Sequence, residues 1–140
     1  MEGQQMKIPN WLKVYGDMSY RGQCPPESAE QKTFFNMLRT QHPATWGRIA
    51  IHPRNEGKRT PGQVWHHKAE GMTAGASDII IPARVAFVCE LKRQDHTQSK
   101  WQDGQIEYLE AAKNAGAFVC VALGWEAAWH AFNDWLQDCH

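Results

Sequence analysis

Two apolar runs stand either side of Pro82-Ala83-Arg84. They are Asp78-Ile79-Ile80-Ile81-Pro82 and Val85-Ala86-Phe87-Val88-Cys89-Glu90-Leu91-Lys92. β-Branched and aromatic runs around a turn signal predict a hairpin. With the turn centred on residue 84, Asp78 falls directly opposite Glu90. Alternation along the strands then places Asp78, Ile80, Val88, Glu90 and Lys92 on one face. Upstream, Phe34, Phe35 and Leu38 form a helical stripe. Ser28 with Gln31 fits a capping box at its start, and His42-Pro43 ends it. Residues 48–52 read as a short strand, and 53–77 as a long, Gly- and charge-rich connection. A second helix is expected over 99–115, with Ser99 and Gln102 as its capping box and Gly116 at its end. Residues 117–123 read as a buried strand. A last helix follows from Trp125, with Ala128, Trp129, Phe132, Trp135 and Leu136 on its apolar face.

The order is αβββαβα, with residues 1–26 as an irregular N-terminal arm and 27–140 as the folded domain. Trp11, Tyr15 and Tyr20 punctuate the arm, and Pro25-Pro26 closes it. Helices that alternate with strands should cover both faces of a mixed sheet, which fits strands that are apolar on both sides.

A chain of 140 residues is expected to form one domain with a real core. Its formal net charge of zero removes any bulk electrostatic case for a nucleic-acid partner. The local distribution restores part of that case. Residues 48–68 carry Arg48, Arg54, Lys58, Arg59 and Lys68 against Glu56 alone, a balance of +4, whereas residues 101–140 stand at −5. Cys24, Cys89, Cys120 and Cys139 show no CxxC spacing, which argues against a disulfide framework or zinc site and for a reducing compartment. No signal-like stretch and no run of transmembrane length is visible, so a soluble, intracellular (cytoplasmic) protein without a membrane partner is expected.

Two acids in register inside an apolar sheet are costly unless they hold a cation. Mg²⁺ favours carboxylate oxygens together with water and substrate phosphate, so the pair predicts a metal-dependent phosphodiesterase site. Lys92, on the same face, is placed to hold or deprotonate an attacking water and to offset phosphorane charge. Glu30 heads the stripe of the first helix and either reaches the metal side or merely complements the helix dipole, with Glu27 as the fallback. Gln105, on the inward stripe of the second helix, either bonds sheet backbone or positions Lys92 or a nearby water. Arg54, Asn55, Lys58, Arg59 and Lys68, with His66 and His67, form a phosphate-binding loop or a solvated one. Arg93 points to the other face, as a phosphate contact or a surface charge. Trp65 is the candidate for stacking on a base.

With these residues assembled, the chain resembles the PD-(D/E)XK nuclease superfamily, and within it the VRR-NUC (virus-type replication-repair nuclease) domain, over roughly residues 27–136. The likeness is carried by Glu30, by Gly71-Met72-Thr73-Ala74-Gly75-Ala76-Ser77-Asp78, by Glu90-Leu91-Lys92 and by Gln105-Ile106-Glu107-Tyr108-Leu109. Ser77 stands where the motif has proline. The resemblance implies a restriction-endonuclease-like αβββαβ core, mixed sheet and flanking helices, with a C-terminal helix added. It implies Asp78, Glu90 and the Leu91 carbonyl as ligands of Mg²⁺ or Mn²⁺, and Glu30 as a supplementary acid. Lys92 would be the catalytic lysine and Gln105 its supporting partner. It further implies a homodimeric DNA endonuclease acting on branched DNA such as Holliday junctions. The alternatives are a nicking or flap nuclease working with a helicase, or an inactive DNA-binding module.

Overall fold

The hairpin forms in the expected register. Strands β2 (Ile79–Ile81) and β3 (Phe87–Lys92) pair antiparallel, Ile79 opposite Cys89 and Ile81 opposite Phe87, so the turn centres on residue 84. The computed structural model describes residues 6–54 and 60–140. Along the chain the elements are β1 (Lys13–Tyr15), α1 (Glu27–Gln41), α2 (Trp46–Ile49), α3 (Pro61–Ala69), β2, β3, a 3₁₀ turn (His96–Gln98), α4 (Gln105–Asn114), β4 (Phe118–Leu123) and α5 (Trp125–Cys139). The four-stranded sheet runs β1-β4-β3-β2, with β4 parallel to both β3 and β1. The chain is thus an α/β domain with a mixed sheet flanked by helices, as expected.

Strand parity explains the two apolar faces. Phe87, Cys89 and Leu91 of β3 pack with Phe34, Phe35 and Leu38 of α1 and with Ala128, Phe132 and Trp135 of α5. Val88 instead joins Leu109 of α4, Leu12, Val119 and Val121 on the other side. All six residues of β3 are buried, in keeping with its interior place in the sheet. Most of the tryptophans serve these two cores. Trp135 is fully buried and its indole N–H donates to the Val85 carbonyl at 2.7 Å, which satisfies the one polar atom it carries inside.

Five local expectations are corrected. The arm is not irregular throughout, because Lys13–Tyr15 forms β1 on the β4 edge and buries Tyr15, whose hydroxyl donates to Asp134 of α5 at 2.8 Å. Three residues are too few to display an alternating pattern. Of the strand expected over 48–52, Arg48 and Ile49 instead end helical turn α2, and only Ile51 makes a bridge, to Ile80. The long connection contains α3, capped by Thr60 and Gln63 in a reciprocal box with Pro61 in the first turn. The second helix begins at Gln105 rather than Ser99. Gly104 precedes it in the left-handed conformation, and Ser99 instead closes the 3₁₀ turn. Helix α1 likewise starts at Glu27 after Pro26, without a side-chain cap.

The loop after β3 ties the arm down. Buried Asp95 accepts from the Gly22 N–H at 3.0 Å, from the Thr97 hydroxyl and N–H, and from the Gln98 amide. The Thr97 hydroxyl, then the Gly22 N–H, hold its carboxyl down to about 2. A depressed acid contributes stability above its unfolded value of 3.8, and the contribution is lost as pH falls toward 2. Asp95→Asn should therefore unfold at lower temperature than wild type at pH 6, with the gap closing between pH 4 and 2. Limited proteolysis should show earlier cutting near Gly22 in the variant. An equal gap at every pH would refute the assignment.

Candidate active site

The register that pairs Ile79 with Cys89 carries Asp78 opposite Glu90, at the end of the sheet. Asp78 follows buried Ser77 and a close backbone crossing. Gly75, at φ +77°, lies so near Gly104 that an added Cβ would stand 2.2 Å from the Gly104 carbonyl carbon. The glycine-rich lead into Asp78 is therefore a packing requirement between this loop and the start of α4. Asp78 Oδ2 accepts from the Leu91 N–H at 2.9 Å. In an extended strand the N–H and C=O of one residue leave on the same side. The Leu91 carbonyl accordingly faces the Asp78 edge.

Glu90 and Lys92 are each about 1% exposed and project toward α4. Lys92 Nζ donates to the Lys100 carbonyl at 2.7 Å and to Gln105 Oε1 at 2.9 Å, sits 3.8 Å from Glu90 Oε2, and lies over the Trp101 ring at 5.2 Å. Gln105 Nε2 donates to Glu90 Oε2 at 2.8 Å. One amide thus holds both the amine and the carboxylate, the second of the two roles open to Gln105 from the sequence. Its oxygen also accepts from the Gln102 N–H at 2.8 Å, which fixes the amide orientation. Glu90 Oε1, by contrast, is buried with no hydrogen-bond partner. Burial, then the neighbouring Asp78 charge, raise the Glu90 carboxyl well above the usual range, with Lys92 opposing them.

Among the described residues no three His, Cys, Asp or Glu side chains cluster as a ready ligand set. The donors that do converge are oxygens: the Asp78 carboxylate, the unpartnered Glu90 Oε1 and the edge bearing the Leu91 carbonyl. Oxygen-only donors fit a small hard cation such as Mg²⁺ or Mn²⁺.

Glu30 is not brought to this pair. It is buried, but α1 packs on the Leu91 face of β3, opposite to Glu90 and Lys92. Its oxygens accept from Gln94 Nε2 at 2.8 Å and from the Trp125 N–H at 3.1 Å, the start of α5. Glu27, one turn earlier, lies nearer the site: its charge reaches Glu90, and its Oε2 accepts from the Ser99 hydroxyl at 2.7 Å. Arg93 anchors the arm, donating from Nη2 to the Cys24 carbonyl at 2.8 Å. Arg54 lines a cleft of about 290 Å³ with Met72, Ile80 and Tyr108. Asn55, Lys58 and Arg59 lie outside the described residues. Lys68 is exposed on α3, as is Trp65 at 71%, while His66 pairs with Glu70 on the same helix.

Sequence reasoning missed the supports in the loop after β3, namely Ser99, the Lys100 carbonyl and Trp101, because that stretch reads as a helix start. It also missed His52, whose Nδ1 lies 2.8 Å from the Asp78 carbonyl oxygen and so carries the ring proton. Nothing in the spacing marks a histidine twenty-six positions upstream as Asp78's neighbour.

Fold and site together define an α/β domain with two acids, a lysine and a glutamine at one sheet end. No protein-family model matches the chain, and no curated protein does. A solved structure of a VRR_NUC domain protein is similar to it, with a TM-score of 0.65 over 84% of this chain and 92% of that one, at 19% sequence identity. The chain therefore has the fold seen in a VRR_NUC domain protein, in agreement with the resemblance read from its motifs. Among the described residues no helix is long and apolar enough to cross a membrane.

Proposed function

We propose that this chain is a Mg²⁺- or Mn²⁺-dependent DNA endonuclease, hydrolysing phosphodiester bonds and selective for branched DNA. The observation that carries the reading is the buried, unpartnered Glu90 Oε1 beside Asp78, on a strand whose next inward side chain is Lys92. An orphaned carboxylate oxygen in a sheet interior is costly, and a cation relieves that cost.

Asp78, Glu90 and the Leu91 carbonyl would hold the ion. When bound, it supplies Lewis acidity toward a phosphate oxygen and a more acidic water. The remaining work falls to the chain. Gln105 and the Lys100 carbonyl hold the Lys92 amine in one orientation, so its remaining N–H is available to a water or a phosphate oxygen without reorganisation. Trp101 covers that amine with apolar surface and strengthens its field. Glu27, rather than Glu30, is the first-helix acid placed to act beside Glu90.

The fold of a VRR_NUC domain protein supports nuclease activity, and the site residues support metal dependence. Branched-DNA selectivity and a homodimer rest on the motif resemblance, together with one physical point: a single site cannot cut two strands symmetrically, so paired incisions need two copies. The test compares cleavage of a four-way junction, a flap and linear duplex with Mg²⁺, Mn²⁺ or EDTA, with Lys92→Ala alongside. Paired junction cuts that need the divalent ion and Lys92 are expected. Preferential flap cutting would favour the nicking or flap reading, and DNA binding without cutting would favour an inactive binding module.

A further inference from the structure

Beside Asp78, on the outer flank of α1, lies a groove of about 480 Å³ lined by Gln31, Lys32, Phe35, Asn36, Arg39 and His52. Its lining is polar except for Phe35, and no acid is among the residues that form it. Lys32, Asn36 and Arg39 recur at spacings of four and three and so share one helix face. The acids of α1, Glu27 and Glu30, point elsewhere, to Ser99 and to the start of α5. The Arg39 guanidinium lies over the Phe35 ring at 5.2 Å, which restricts where its charge can sit. His52 forms the far wall, and its ring donates to the Asp78 backbone carbonyl, so that wall of the groove is tied to the segment that carries Asp78.

We propose that this groove seats the DNA backbone next to the cleaved phosphate, with Lys32 and Arg39 each neutralising one phosphate. From Lys32 to Arg39 the helix rises about 10 Å. One DNA strand carries a phosphate every ~3.4 Å along the duplex axis, so that span faces roughly three phosphates. The proposal rests on the endonuclease reading and adds a track to it. Arg54 of the basic segment lines a different cleft, so its charge and the charge here are separable.

The test is the salt dependence of duplex and four-way-junction binding in EDTA, by fluorescence anisotropy, with Mg²⁺-dependent cleavage measured in parallel. Neutralising two phosphate contacts should flatten the slope of log K against log salt by about 1.8. The same loss lowers affinity at 0.1 M salt about 60-fold. Lys32→Ala/Arg39→Ala is expected to show both, to raise KM with kcat retained, and to melt like wild type. Lys32→Arg/Arg39→Lys, which keeps the charges, should restore the slope. Lys113→Ala, at the far end of α4, should leave it unchanged. A wild-type enzyme that cuts DNA while the Lys32→Ala/Arg39→Ala protein keeps the wild-type slope overturns the groove alone. A wild-type protein that neither binds nor cuts DNA overturns the endonuclease reading and the groove with it.

Discussion

Asp78→Asn is expected to lower divalent-metal-dependent cleavage by about 10³-fold or more, and yet to leave the metal-free protein at least as stable as wild type. Loss of one preorganised electrostatic group costs about 10²–10³ in rate, and loss of a metal ligand removes the ion's contribution as well. The stability half of the expectation comes from the neighbour. Burial and then the Asp78 charge raise the Glu90 carboxyl. An acid raised on folding contributes fully below its unfolded value of 4.5 and loses that contribution as pH rises through the folded value. Removing the Asp78 charge brings Glu90 back toward its ordinary value, so the variant should lose less stability between pH 5 and 8. The Asn carbonyl can still accept from the Leu91 N–H, so the local turn is kept. Added Mg²⁺ separates the two proteins further. Wild type should gain about 2.7 kcal/mol at a hundred times its Kd, and the variant almost nothing. Thermal melts with and without Mg²⁺, beside single-turnover cleavage, check both halves. A variant that cuts at the wild-type rate sinks the site.

Gly75→Ala is expected to cost about 2–4 kcal/mol and roughly 10²-fold in cleavage. The new methyl would stand 2.2 Å from the Gly104 carbonyl carbon, 2.3 Å from its oxygen and 2.6 Å from the Gln105 nitrogen. None of these is a side-chain tip that can swing away; all are backbone. The left-handed φ of +77° adds its own strain for an L residue. The two loops must part, and Gln105 moves with its helix start, which loosens Lys92 and Glu90 together. Gly71→Ala is the comparison, since Gly71 also has positive φ but nothing within 4 Å. It should show the conformational strain alone, about 1–2 kcal/mol, with cleavage unchanged. Urea unfolding and cleavage rates on both variants decide the matter. Equal effects from the two would mean that the close crossing does not position Gln105.

The hairpin and its site were legible because parity is a strong constraint. Once the turn centre at residue 84 is accepted, Asp78, Glu90 and Lys92 have no freedom to lie on different faces. Gln105 was legible from helical spacing with Leu109, even though Trp101 proved to lie outside that helix. Glu30 shows where pattern stops. Its stripe correctly predicted burial, but which sheet face a helix covers is decided by connection and packing, and α1 took the face opposite to Lys92. Glu27, the fallback, is the α1 acid whose charge reaches Glu90. The loop supports at Ser99, Lys100 and Trp101 carry no periodicity, since they act through backbone or single contacts. Lys32 and Arg39 were hidden by a zero net charge and by acids on the same helix.

Strand β1 carries a consequence for the order of assembly. It precedes α1, yet its partner β4 follows α4, Lys13 lying opposite Cys120. A contact between such distant positions closes a very long loop, so it forms late, after the hairpin and the α4–β4 crossover have made their nearer contacts. On the ribosome this strand, made well before its partner, must wait for it. Until it docks, β4 is an unprotected, wholly apolar sheet edge, open to pairing with another chain.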